Sequence, residues 1–122
     1  MPSEIMFTIP HRLPRLNEYI RHERGSKYLA AKIKKKYTGL CMAYIPRLRF
    51  DKRPIEITYV WAVKNIANDP GNVSFGNKFI EDAMVISGFI PDDNLKWIKK
   101  ITHKFLLQEK EGVTVIAAEV AE

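Results

Sequence analysis

Apolar and polar residues alternate from Ile55 to Val63, which puts Ile55, Ile57, Tyr59, Trp61 and Val63 on one face of a strand. A shorter alternation over Glu4–Ile9 predicts another strand, ended by Pro10. From Lys27 to Tyr44 the period lengthens, with Leu29, Ile33, Tyr37, Leu40 and Tyr44 at the spacing of one helix face. Ser26 is placed to cap that helix, and Pro46 sets its latest end. The pattern has this helix lay its stripe on a sheet and show Lys32, Lys34, Lys35 and Lys36 to solvent or phosphates. The polar run from Leu16 to Gly25 reads only as a connection. A second helix is predicted to start between Asn72 and Ser74, bury Phe75, Phe79, Ala83 and Ile86, and stop at Gly88. Lys96–Leu107 predicts a long strand with Trp97, Ile101, Phe105 and Leu107 on one side. Gln108–Gly112 then reads as a turn, with Val113–Ala121 as the partner strand.

At 122 residues and 14.1 kDa these elements make one domain, spanning 1–122. An apolar fraction of 46% and a charged fraction of 28% fit a globular chain. No apolar run approaches membrane-spanning length, and Met1–Phe7 lacks the basic-then-apolar layout of a secretion signal, so the expected place is the cytoplasm, with no membrane partner. Cys41 is the only cysteine, and His11, His22 and His103 are scattered, which excludes an internal disulfide and a zinc cluster. Cys41 is expected to sit in the core or on a helix surface, and His103 to be structural or exposed.

The formal charge of +6 and a pI near 9.5 point to a polyanionic partner. Most of the excess lies between Arg12 and Arg53, where only Glu18, Glu23 and Asp51 interrupt the arginines and lysines. A cationic face there is either a solvated surface or one that binds a phosphate backbone, for which Arg24, Lys27, Lys32, Lys35 and Lys36 are the candidates.

The acids are arranged differently. Asn68–Asp93 opens with Asp69 in a Pro/Gly turn, carries Lys78, Glu81 and Asp82 on the predicted helix, and closes on Asp92 and Asp93. No P-loop, nucleophile elbow, His/Cys cluster or dinucleotide glycine motif is present, so no organic cofactor is expected. Carboxylates at Asp69, Asp92 and Asp93, on loops flanking one helix, could converge on a hard cation such as Mg²⁺ that activates water against a phosphodiester. They could equally be turn residues and helix caps. Lys78 and Asp82, four apart, share a face where an ion pair is available.

Asp69-Pro70-Gly71-Asn72, then Lys78-Phe79-Ile80-Glu81-Asp82-Ala83-Met84, Gly88-Phe89, Asp92-Asp93 and Trp97-Ile98 resemble the ordered signature of RusA-type Holliday junction resolvases, particularly the phage-associated branch. The resemblance extends through Ile9-Pro10, Leu13-Pro14, Leu16–Tyr19 and the basic segment from Lys32 to Tyr37, and so covers most of the chain. It implies a metal-dependent endodeoxyribonuclease, from a bacterial cell and phage- or prophage-encoded, that resolves four-way DNA junctions as a homodimer. Asp69 and Asp93 would then be metal-binding and catalytic, Asp92 a supporting ligand and Lys78 the catalytic lysine, with Mg²⁺ as cofactor and Mn²⁺ as an alternative. The chain departs from the pattern at Gly71, where the family has a second acid, and the competing expectation is a DNA-binding member with reduced or lost cleavage. Pattern and resemblance together give an α+β fold, a single compact domain whose mixed β-sheet carries two main helices largely on one face.

Overall fold

The computed structural model describes residues 3–121; Met1 and Pro2, which open the segment read for a secretion signal, and Glu122 lie outside the described residues. In chain order the elements are β1 (Glu4–Ile9), α1 (Leu16–Gly25), α2 (Lys27–Met42), β2 (Ile55–Val63), α3 (Pro70–Ser74), α4 (Asn77–Ile86), β3 (Ile98–Leu107) and β4 (Gly112–Glu119). The strands form one mixed sheet in the order β1-β4-β2-β3. β4 runs antiparallel to both β1 and β2, while β2 and β3 are parallel. The fold is thus α+β, and among the described residues no helix is long and apolar enough to cross a membrane.

The alternation in β2 has the predicted effect. Ile55, Ile57, Tyr59, Trp61 and Val63 are all buried, whereas Glu56, Thr58, Val60 and Ala62 on the other face are not. The helices cover the first face, so the core is one layer between sheet and helices, centred on Tyr59, Trp61, Phe79, Phe89 and Met84. A register shift where Ile55 pairs with Ile98 and Glu56 with Lys100 inserts one extra residue in β3. That bulge lets Ile98 and then Ile101, His103, Phe105 and Leu107 all lie on the core side of the sheet.

Four expectations need correction. β4 does not return beside β3; β2 lies between them, and Gln108 donates to the Val63 carbonyl at 2.9 Å as the chain leaves β3. β3 keeps the parallel position on one edge of β2, and β4 crosses to the other edge, where it pairs antiparallel with both β2 and β1 and so becomes an inner strand instead of the edge strand a β3–β4 hairpin would make it. Leu16–Gly25 is a helix rather than a connection. The Glu18 carboxylate accepts from the Arg15 backbone N–H at 2.9 Å at its start, and Tyr19 packs its ring on Phe75 and Phe79.

The buried side of α2 is also displaced. Ala30, Thr38 and Cys41 are buried, while Leu29 is 45% exposed, because α2 packs on α4 and α1 rather than on the sheet. Small residues permit that close approach of two helices. Ser26 does cap α2, accepting from the Leu29 N–H at 3.3 Å.

The predicted central helix is two helices. α3 is capped by Asp69, and the break falls at Gly76, where a Cβ would stand 3.0 Å from the Trp61 ring and 3.1 Å from Leu13 Cβ. α4 is enclosed by the sheet on one side and α2 on the other, which buries Phe79, Ile80, Glu81, Ala83 and Met84 and leaves Ile86 64% exposed. Gly88 ends the segment at φ +81°, the left-handed conformation expected of it.

At the start of β4, a Cβ on Gly112 would lie 2.8 Å from the Ile9 carbonyl oxygen and 3.3 Å from Pro10 Cα. Gly112→Ala is expected to lower the unfolding free energy by about 1–3 kcal/mol, because backbone rather than a movable side chain must yield. Urea denaturation measures this, and a variant as stable as the parent would show that the β1 end shifts freely.

Candidate active site

β2 delivers Asp69 from the loop beyond its C-terminal end. One carboxylate oxygen, Oδ1, accepts from the backbone N–H groups of Gly71 (2.8 Å) and Asn72 (3.2 Å), so Asp69 is the N-cap of α3. Asn72 Oδ1 accepts from the Asn17 backbone N–H at 3.2 Å, tying this turn to the first turn of α1. Arg15 reinforces the junction from within. It is only 7% exposed, and its guanidinium donates to Asn68 Oδ1 (3.3 Å), Glu111 Oε2 (2.9 Å) and the Leu13 carbonyl (3.2 Å). Asp69 opens onto a hollow of about 290 Å³ whose walls include Arg12, Arg15, Asn17, Arg21 and Asn72.

Lys78 lies in the first turn of α4 and is exposed. The i,i+4 pair with Asp82 does not form. Asp82 instead meets Lys34 of α2 at 3.5 Å, and among the described residues Lys78 has no ion-pair partner. On the inner side of α4, Glu81 is 5% exposed, and its Oε2 accepts from the Tyr59 hydroxyl (2.8 Å) and the Asn77 side-chain amide (2.6 Å). Burial raises the Glu81 carboxyl above its usual range; the hydrogen bonds from Tyr59 and Asn77 and the Lys78 charge oppose that rise, and the Asp93 charge adds to it. Burial, and then the Glu81 charge, push the Tyr59 hydroxyl well above its ordinary value.

Asp93 faces a different concavity, a groove of about 710 Å³ between α2 and α4 that it shares with Lys34, Lys35, Thr38 and Asp82. Asp92 is spent on the local turn: Oδ1 accepts from the Asp93 N–H (2.8 Å) and Oδ2 from the Asn94 side-chain amide (3.2 Å). The hollow at Asp69 and the groove at Asp93 have no lining residue in common. Among the described residues no three His, Cys, Asp or Glu side chains stand together as a metal-holding group.

The basic candidates are all exposed: Arg24 at the end of α1, and Lys27, Lys32, Lys35 and Lys36 along α2. Lys35 joins Asp93 in the groove, and the Lys36 ammonium stands 5.2 Å from the Tyr37 ring centroid. His103 is held in the sheet, accepting at Nδ1 from the Trp61 indole N–H (2.9 Å) and stacking on Tyr59; burial lowers its pKa. Cys41 is fully buried with its thiol pushed up to about 12, which leaves it protonated and unreactive.

Sequence reasoning named Glu81 among the acids of the crossover but not its buried pairing with Tyr59, and did not single out the arginines beside Asp69. Glu81 carried a signal, a charged residue inside the apolar run Phe79–Met84. Arg12, Arg15 and Arg21 carried none beyond membership of the basic half, because only tertiary packing brings α1 and the segment before it to the Asp69 loop.

The Glu81 carboxyl keeps its proton to higher pH in the folded chain than the usual 4.5. Over that interval the folded state binds more protons than the unfolded one, so stability falls as pH rises through it. Glu81→Gln is expected to remove this dependence and to gain stability relative to the parent between acid and mildly alkaline pH. Urea denaturation at two pH values measures it; a constant difference would mean that Glu81 titrates normally.

No protein-family model matches the chain, and no curated protein sequence matches it.

Proposed function

We propose that this chain is a metal-dependent endodeoxyribonuclease that cuts four-way DNA junctions as a homodimer. The observation that carries the reading is Lys78: an exposed cation on the helix between two acid-bearing loops that has no ion-pair partner among the described residues, Asp82 being met by Lys34 instead. A lysine so placed can meet the charge that develops on phosphoryl oxygens or on a leaving oxygen. Lys32, Lys35 and Lys36 of α2, with Arg24 and Lys27, are exposed and would hold a DNA backbone without reading bases. The resemblance in motif order supplies the substrate class, and Mg²⁺, with Mn²⁺ as the alternative, is the cofactor it implies.

Asp69 and Asp93 of one chain line separate concavities, so the reading asks a second copy to complete the acid set. A two-fold pair of chains also suits the two symmetric cuts that a junction requires. Gly71 favours the second reading, a junction-binding protein whose cleavage is weakened or lost. It stands where an additional carboxylate would adjoin Asp69, and a Cβ there meets Asp69 Oδ1 at 3.4 Å, an ordinary contact that admits a side chain.

A labelled four-way junction incubated with Mg²⁺ or Mn²⁺ separates these readings. Paired nicks are expected, abolished in Asp93→Asn and increased about tenfold or more in Gly71→Asp, since affinity for hard cations follows the number and charge of oxygen ligands. Binding without nicks, with cleavage restored only by Gly71→Asp, selects the second reading. Absence of junction binding at low salt refutes both.

A further inference from the structure

The hollow beside Asp69 has a twin. On the far side of the Arg12–Glu18 ion pair, whose two nitrogens reach the carboxylate at 3.0 and 3.1 Å, lies a second concavity of about 310 Å³. Arg12, Glu18 and Arg21 line both. The first hollow ends at Asp69 and Asn72, and the second ends at Lys36 and Tyr37 on α2. We propose that these two hollows form a track along α1 that binds consecutive phosphates of a DNA strand and leads it to the Asp69 loop, with Arg21 as the shared phosphate contact. The proposal rests on the nuclease reading and adds to it a binding surface outside the basic residues of α2.

The charges in the track are not equivalent. Arg12 and Glu18 satisfy each other in a two-pronged pair, and Arg12 also approaches Glu111 at 3.7 Å, so this pair contributes shape more than net charge. Arg15 is turned to Glu111 and Asn68, and its Nε finds no acceptor among the described residues, which leaves a buried, incompletely satisfied cation behind the first hollow. Arg21 is exposed, borders both hollows and makes no ion pair with a described residue. It is the one guanidinium of the three with its donors uncommitted, and a guanidinium fork matches phosphate oxygens in geometry as well as in charge.

The arrangement suits a polymer better than a small anion. A single phosphate or carboxylate is best held by one enclosed pocket, whereas here two open hollows lie in series and share Arg21, the cation left without an ion pair among the described residues. The second hollow also has an apolar floor of Pro14, Ile33 and Tyr37 beneath Lys36, a surface on which sugar or base can rest beside its phosphate.

The test is binding of a fluorescent four-way junction, with chelator present so that cleavage plays no part, over a series of salt concentrations. Arg21→Ala is expected to weaken binding about three- to tenfold at low salt and to reduce the slope of log K against log salt by about 1, the signature of one lost phosphate contact. Arg21→Lys should restore the slope. Lys104→Ala, on the sheet face away from the helices, should change neither quantity. Parent protein that binds the junction while Arg21→Ala matches it in affinity and slope overturns the track and leaves the nuclease reading standing. An equal loss in Lys104→Ala also overturns it, because the effect would then be bulk charge. Displacement of the junction by inorganic phosphate far below the concentration at which chloride does so would assign the hollows to a small anion instead. Failure of the parent itself to bind any junction removes the nuclease reading and the track together.

Discussion

Parallel pairing of β2 with β3 is the constraint from which the arrangement of the chemistry follows. Two parallel neighbours cannot be joined by a tight turn, because the chain must travel back to the end of the sheet from which it started. Here the return path is α3 and α4, and the loops at its two ends are where the acids sit. Asp69 leaves the end of β2, Asp93 precedes the start of β3, and Lys78 rides on the helix between them. β4 then closes on the opposite side of β2, so that the most apolar strand is flanked on both edges and covered on one face. The separation of the acids within one chain is therefore a property of the topology and not of a side-chain rotamer.

The same crossover is fixed in rotation by a polar contact inside the core. Asn77 and Glu81 are one helical turn apart, and the Glu81 carboxylate takes two hydrogen bonds, one from Tyr59 of β2 and one from the Asn77 amide beside it on α4. A buried carboxylate is costly unless its oxygens are satisfied, so few rotations of α4 about its axis are acceptable. The accepted one turns Lys78 and Asp82, each one residue further along, toward the rim of the helix. There Lys34 of α2 reaches Asp82, and Lys78 has no ion pair among the described residues. The availability of Lys78 is in this way tied to a hydrogen bond several residues away in the interior.

The parts of this structure that local chemistry decides were legible in the sequence. The alternation of β2, the cap at Ser26 and the stop at Gly88 each depend on a few neighbouring residues, and the order of acids and lysine along the crossover can be read directly. What was not legible depends on which element packs against which. Adjacent strands in sequence are usually neighbours in space, which favoured a β3–β4 hairpin until β2 is seen to lie between them. The buried side of α2 runs through Ala30, Thr38 and Cys41 because its partner is another helix, for which small size matters more than hydrophobicity. α1 buries no residue completely, and its short stripe of Leu16, Tyr19 and Ile20 lies within a segment so polar overall that it reads as a connection. Without α1, the arginines beside Asp69 had no position to be read from.

The two readings of Asp69, helix cap and metal ligand, turn out to be linked through Gly71. Oδ1 accepts from the Gly71 and Asn72 amides, so one carboxylate oxygen is oriented by backbone alone. A second acid at position 71 would begin 3.4 Å from that same oxygen, and two carboxylates so close repel unless a cation or a proton lies between them. A loop with both acids therefore depends on its ion for electrostatic balance. With glycine at 71 the repulsion is absent, the cap is satisfied by its amides, and the turn is stable whether or not a cation is bound. On the proposed nuclease reading, glycine at this position both lowers the attraction for a metal and removes the loop's need for one. Under that reading the fold and the capping geometry are kept whether or not the site cleaves.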